Sequence, residues 1–313
     1  PKHVCGIKVF MGASTGNMLV NNAHSLERIF REAPTIVAVH CEDENTIVRN
    51  MNNIRTKLAD DIGLADIPVR YHPFVRNDEA CYRSSAKAVE LAARCGTRLH
   101  VLHLSSAKEM SLFSGEPVSQ KKITAEVCVH HLWFDEDAYV RYGPFIKCNP
   151  AIKSDSDRMA LRYALKNNKL DIVATDHAPH TYEEKFERQY DYLQCPSGLP
   201  SIQHSLVAML ELVHREVLPA ELVVEKMCHA PAELFRIQRR GYIRVGYFAD
   251  LVLVNPDSKW TVEHDNILYK CNWTPFYGTT FQHKVEKTFV NGQLGYDNGI
   301  LYPIRGKALE FDR

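Results

Sequence analysis

Hydrophobic and polar positions along the chain fall into two alternating textures. Short β-forming runs at residues 6–11, 35–40, 98–104, 123–129 and 171–175 read as strands. Longer stretches at 23–33, 42–61, 78–95, 154–167 and 201–215, with helical spacing of their apolar residues, read as helices. Strands alternating with helices predict an α/β fold, a parallel sheet built from βα units. Only five such strands are visible, and a closed (β/α)8 barrel of the TIM type needs about three more. The expectation is a partial barrel over residues 1–240, incomplete at its N-terminal side, with further strands upstream of Pro1. From about residue 241 the texture changes to short β segments, at 249–254 and 285–290, divided by Gly and Pro turns. Residues 241–313 therefore read as a small β subdomain, half of a sandwich.

Composition narrows the class of protein. Apolar residues make up 45% of the 313 and charged residues 24%, ordinary values for a soluble globular chain. The 38 basic and 38 acidic residues balance, which gives no footing for a nucleic-acid or acidic-membrane partner. No apolar run approaches the roughly 18 residues of a membrane span, and a signal peptide is not expected. The nine cysteines include no CxxC pair and read as reduced thiols, so a cytoplasmic setting is expected.

The fifteen histidines are more particular. His40, His103, His130, His131 and Asp176 sit at the C-terminal ends of predicted strands, where a βα barrel carries its chemistry. A single strand-end histidine is usually structural; two on successive strands, downstream of a strand lysine, point to a metal centre, since neutral imidazole is a good zinc ligand. Lys8 is that lysine. A strand lysine usually points to solvent, but inside a barrel it must be neutralised, and reaction with carbon dioxide makes it an anionic ligand. Asp176 precedes His177, Ala178, Pro179 and His180, a run more specific than a helix cap requires. A carboxylate there can ligate a metal and move a proton.

These residues, in this order, resemble the amidohydrolase superfamily, and their flanks resemble its bacterial-type dihydroorotases. The likeness rests on residues 6–16 around Lys8, 39–43 around His40, 100–106 around His103, 124–132, 147–153 and 174–181, and on 249–254, 273–278 and 290–292 near the end. It implies that carboxylated Lys8 bridges two zinc ions, that His40 and His103 ligate the second, and that Asp176 ligates the first and serves as general acid/base. It further implies that Asn149 and His180 bind substrate, with His180 meeting the carboxylate of dihydroorotate. The loop holding Pro196 and Gly198 would offer backbone groups to the ring, while His131 and His177 would stand behind the site. The implied partner is a small molecule, dihydroorotate or carbamoyl aspartate, and the implied assembly an oligomer, commonly a dimer.

The superfamily's other zinc ligands come from a His-x-His pair, and none occurs here. A block of about a hundred residues or more is thus expected upstream, and the chain alone is expected to bind zinc weakly or singly and turn over poorly. Two alternatives share parts of this pattern: another cyclic amidase (dihydropyrimidinase, hydantoinase or allantoinase), and a non-catalytic scaffold that keeps the barrel for assembly.

Overall fold

The structure is a computed structural model that describes residues 3–12, 20, 22–63 and 66–312. Five parallel strands form one sheet in sequential order: β1 (Ile7–Met11), β2 (Val37–Cys41), β3 (Leu99–Val101), β4 (Ile123–Cys128) and β5 (Ile172–Ala174). The main connecting helices are α1 (Ala23–Glu32), α2 (Glu44–Ile62), α3 (Asp78–Cys95), α4 (Val129–Trp133) and α5 (Asp155–Lys166). After β5 come α6 (Tyr182–Phe186) and α7 (Ser205–His214). Of residues 6–16, which carry part of the family resemblance, those beyond Gly12 lie outside the described residues.

Helix boundaries follow local chemistry. Asp43 caps α2 by accepting from Thr46 N, Asn77 caps α3 through Ala80 N, and Ser154 with Asp157 forms a capping box on α5. Helices α2 and α3 both end on a left-handed glycine, Gly63 at φ 65° and Gly96 at φ 70°, where a Cβ would be strained.

Alternation along the strands sorts the sheet into two faces. Val9, Met11, Val37, Val39, Leu99, Val101, Ala125, Val127 and Val173 point one way and join the main buried core. Leu26 and Phe30 of α1, Leu91 of α3 and Leu161 of α5 cover them. Register places Lys8 beside Ala38, Phe10 beside His40, His100 beside Thr124, and Cys128 beside Ala174 on the other face. That face carries the polar groups. The hydrophobic side holds the sheet to its helices, and the opposite side is left for chemistry.

The C-terminal region has two parts. Four antiparallel strands, β6 (Leu251–Asn255), β9 (Lys284–Val290), β10 (Gln293–Asp297) and β11 (Ile300–Leu301), pair in the order β11-β10-β9-β6. Both of its two-residue turns are Asn-Gly, Asn291-Gly292 and Asn298-Gly299, with positive φ throughout, as tight hairpins require. The short pair β7 (Trp260–Thr261) and β8 (Thr280–Phe281) instead packs against α7, and Trp273, Phe276 and Phe281 join the main core. Among the described residues no helix is long and apolar enough to cross a membrane.

Candidate active site

At the end of β2, His40 and Glu42 fall on the same side of the chain just before Asp43 caps α2. His40 Nε2 lies 3.0 Å from Glu42 Oε2, and its Nδ1 lies 3.1 Å from His103 Nε2. Both imidazoles are buried. Burial alone would raise the Glu42 carboxyl, but the Arg76 guanidinium and His40 outweigh it and hold it near 2. Glu42 is therefore ionised, and His40 Nε2 carries the proton it donates. In a neutral ring His40 Nδ1 is then a lone pair, which accepts from His103 Nε2–H. Burial, with His40 beside it, drives the His103 imidazole down to about 3, so it is neutral at pH 7. This leaves His103 Nδ1 buried without a partner.

That pair fits a metal. Tetrahedral zinc with Zn–N near 2.0–2.1 Å sets two ligand nitrogens about 3.3–3.4 Å apart. The observed 3.1 Å needs an opening of only a few tenths of an ångström, with the single proton of neutral His103 moving from Nε2 to its unpartnered Nδ1 so that both facing nitrogens offer lone pairs. A carboxylate on the far nitrogen of a ligating histidine, as Glu42 is here, fixes the tautomer and strengthens the ligand.

Lys8 stands on the same face of β1, exposed, with its ammonium 4.7 Å from the Phe10 ring centre. Phe10 in turn lies 5.9 Å from the His40 ring. The charge of Lys8 contributes to the depression of His103. Asp176 follows β5, half-buried; its charge is felt at Cys128, Cys148 and His130. His103 and Asp176 both have φ 41°, in the left-handed region that non-glycine residues avoid. Each such residue costs about 1–2 kcal/mol, and backbone strain of this kind gathers at functional sites.

A second group of segments closes against the first. Lys185 is fully buried, and its ammonium donates to the carbonyls of Pro144 (2.9 Å), Lys147 (3.2 Å) and Pro196 (2.9 Å). Lys147 donates to Tyr192 O at 2.7 Å and to Cys195 O. Burial lowers both lysines to about 8, still charged at neutral pH. They pin the loop of Pro196 and Gly198 to the 3-10 turn (Gly143–Ile146) leading to Asn149. Asn149 Oδ1 is buried and unpartnered, an acceptor without a donor. Gly198 has φ 140°, and a Cβ there would meet Ala178 O at 2.5 Å and His180 Cδ2 at 3.3 Å, so the loop touches His180 directly. Two backbone groups expected to face a ring are already engaged: Gly198 N–H donates to Lys147 O at 2.8 Å, and Pro196 O accepts from Lys185.

His180 Nδ1 lies 3.4 Å from the Glu184 carboxylate, and Trp273 Nε1–H donates to its carbonyl at 2.7 Å. His177 Nδ1 accepts from Ser201 N at 3.1 Å while its ring stacks on Tyr269. His131 Nε2–H donates to Pro150 O at 3.0 Å and so supports the turn after Asn149. Sequence reasoning did not single out Glu42 or Arg76. Glu42 was findable, being two residues beyond His40 on the same side; Arg76, in a short helical turn distant along the chain, was not. Nor did it assign a role to Cys128 and His130, which with His131 form the one group of three converging potential metal ligands found among the described residues.

Comparison with known proteins bears on this arrangement. Residues 28–295 match the model of the amidohydrolase family. A dihydroorotase of Halobacterium salinarum is 33% identical over 273 residues, covering 87% of this chain and 60% of the relative. A dihydroorotase of Methanosarcina acetivorans is 30% identical, covering 97% of this chain and 65% of the relative. Among solved structures, the L-hydantoinase (dihydropyrimidinase) of Arthrobacter aurescens superposes with a TM-score of 0.86 at 25% identity, covering 98% of this chain and 68% of that one. The chain thus spans about 60% of the length of the curated relatives it matches.

Proposed function

Because the chain belongs to the amidohydrolase family, we propose that it carries part of the active site of a hydrolase acting on a cyclic amide, with dihydroorotate as substrate and carbamoyl aspartate as product. The observation that carries the reading is the buried contact of His40 Nδ1 with His103 Nε2, braced by ionised Glu42. His40 and His103 would hold a divalent cation, zinc by ligand type, with carboxylated Lys8 as a bridging anion and Asp176 on a second ion. When bound, the metal supplies Lewis acidity and lowers the pKa of water.

This chain's own groups do the rest. Asp176 takes a proton at its carboxylate and returns it to the ring nitrogen as the amide bond breaks. Asn149 Oδ1, buried and lacking a donor, accepts a ring N–H. His180, its Nδ1 3.4 Å from the Glu184 carboxylate, meets the substrate carboxylate. With no His-x-His in the sequence, one ion of the catalytic pair is offered only Lys8 and Asp176 among the described residues, so at this centre the 313 residues alone should hold one zinc and turn over slowly. The protein is proposed to work in the cytoplasm as an oligomer.

The hydantoinase likeness supports a second reading, a cyclic amidase for uncharged rings. Calorimetric binding separates the two without needing turnover. Dihydroorotate should bind the zinc-loaded protein at least about tenfold more tightly than dihydrouracil or hydantoin, and His180→Gln should erase that preference. Preference for the uncharged rings would replace the first reading with the second; binding of none would overturn both.

A further inference from the structure

Beyond the His40–His103 pair the structure holds a second set of donors. We propose that Cys128, His130 and His131 form a separate binding site for a thiophilic d10 cation of the zinc and cadmium class. Cys128 ends β4 and the two histidines fall in the first turn of α4, so a single strand-to-helix turn gathers all three. Their ligand atoms lie within 4.8 Å of one another, and all three residues are buried.

The state of the imidazoles points to a ligand. Neither nitrogen of His130 has a hydrogen-bond partner, and neither does Nδ1 of His131. Buried polar atoms without partners are few in folded proteins, and three at one turn require a reason. His131 shows what the reason is. Its Nε2–H is fixed on Pro150 O at 3.0 Å, so Nδ1 carries the lone pair and is aimed by the same kind of outer hydrogen bond that orients metal-bound histidines. The His130 and His131 ring centres are 4.3 Å apart. Zinc with bonds near 2.3 Å to sulfur and 2.0–2.1 Å to nitrogen sets its ligand atoms about 3.3–3.6 Å apart, which side-chain shifts of about 1 Å achieve here. His131 is held, so Cys128 and His130 make that movement.

The donors also select the metal. Burial pushes the Cys128 thiol well above its usual pKa, so without metal it stays protonated. Only a cation with strong affinity for thiolate displaces that proton: the metal–sulfur bond forms as the S–H bond breaks, and one proton leaves to solvent. Two imidazoles suit the same borderline-soft ions, whereas magnesium or calcium would find no oxygen ligand among the three. The charge of Asp176 reaches both Cys128 and His130 and adds attraction for a cation.

The test is a cadmium titration of the purified protein carrying His40→Ala, which removes the other candidate site, followed by thiolate-to-cadmium charge-transfer absorption. About one equivalent should produce the band. Cys128→Ser in the same background should abolish it, His130→Gln should weaken binding by about tenfold or more, and Cys148→Ser, a neighbouring buried thiol, should leave it unchanged. No band, or a band that survives Cys128→Ser, overturns the proposal. Should Cys128→Ser fail to fold, X-ray absorption at the cadmium edge of the parent protein decides: a shell with one sulfur and imidazole nitrogens supports the site, and a shell of sulfur alone or of oxygen alone overturns it.

Discussion

The carboxylate of Glu42 decides which nitrogen of His40 is free, and so whether the imidazole pair can take a metal. A glutamine in its place has no charge for Arg76 and no single preference for the His40 tautomer. Glu42→Gln should therefore lower zinc affinity by about 10–100-fold in competition with a chelator; unchanged affinity would make Glu42 merely the structural partner of Arg76. Elsewhere, His204 sits fully buried among the rings of Trp260, Tyr269, Phe276 and Phe281, with Nε2 unpartnered. Burial lowers its pKa from 6.5 to about 4. The unfolded chain takes up this proton first, so stability is full above pH 6.5 and falls as pH drops towards 4, by about 3 kcal/mol at most. His204→Phe should show a smaller loss between pH 7 and pH 4.5 in urea unfolding than the parent; an identical loss would place the titration elsewhere.

Between elements, buried cations tie the loops. Lys185 satisfies three carbonyls from segments on both sides of the proposed substrate region. Lys185→Met should cost about 2 kcal/mol in urea unfolding, because it strands Pro196 O and takes the charged donor from Pro144 O and Lys147 O, which keep backbone donors; a cost below about 0.5 kcal/mol would mean water replaces the ammonium. Trp273 reaches the other side of the same region through its bond to His180 O. Trp273→Phe keeps the ring but loses the N–H, and should raise KM for dihydroorotate several-fold with kcat little changed; a fall in kcat alone would contradict a positioning role. How far these elements were legible in the sequence depended on whether local rules governed them. The span of α3 was readable to the residue, since Asn77 caps it and Gly96 ends it. The hairpin at Asn291-Gly292 announces itself in the same way. The strand expected at 98–104 stops at Val101, because the left-handed backbone at His103 breaks the ladder, and a histidine does not advertise that conformation as glycine would.

Across the whole molecule, period-two alternation divides the sheet into an apolar face for helices and a polar face for chemistry, and this was visible before any coordinates. Alternation puts Lys8 and His40 on that face; His103 was singled out by its place at the end of a predicted strand, and the left-handed turn there, not alternation, decides where its ring goes. What alternation cannot show is contact between segments far apart in the chain. His72 bonds Tyr192 OH and Cys148 O, each at 2.8 Å, and Arg76 reaches Glu42, so short turns between predicted helices brace both halves of the site. Nothing in the local sequence of residues 69–76 signals that role. The account rests on two imidazole nitrogens poised to share one cation, and anomalous diffraction from a zinc-loaded crystal tests this directly. It should show a peak about 2.0–2.1 Å from both His40 Nδ1 and His103 Nε2, with their separation widened from 3.1 Å to about 3.3 Å. Zinc bound elsewhere while these two rings remain hydrogen-bonded to each other would contradict it.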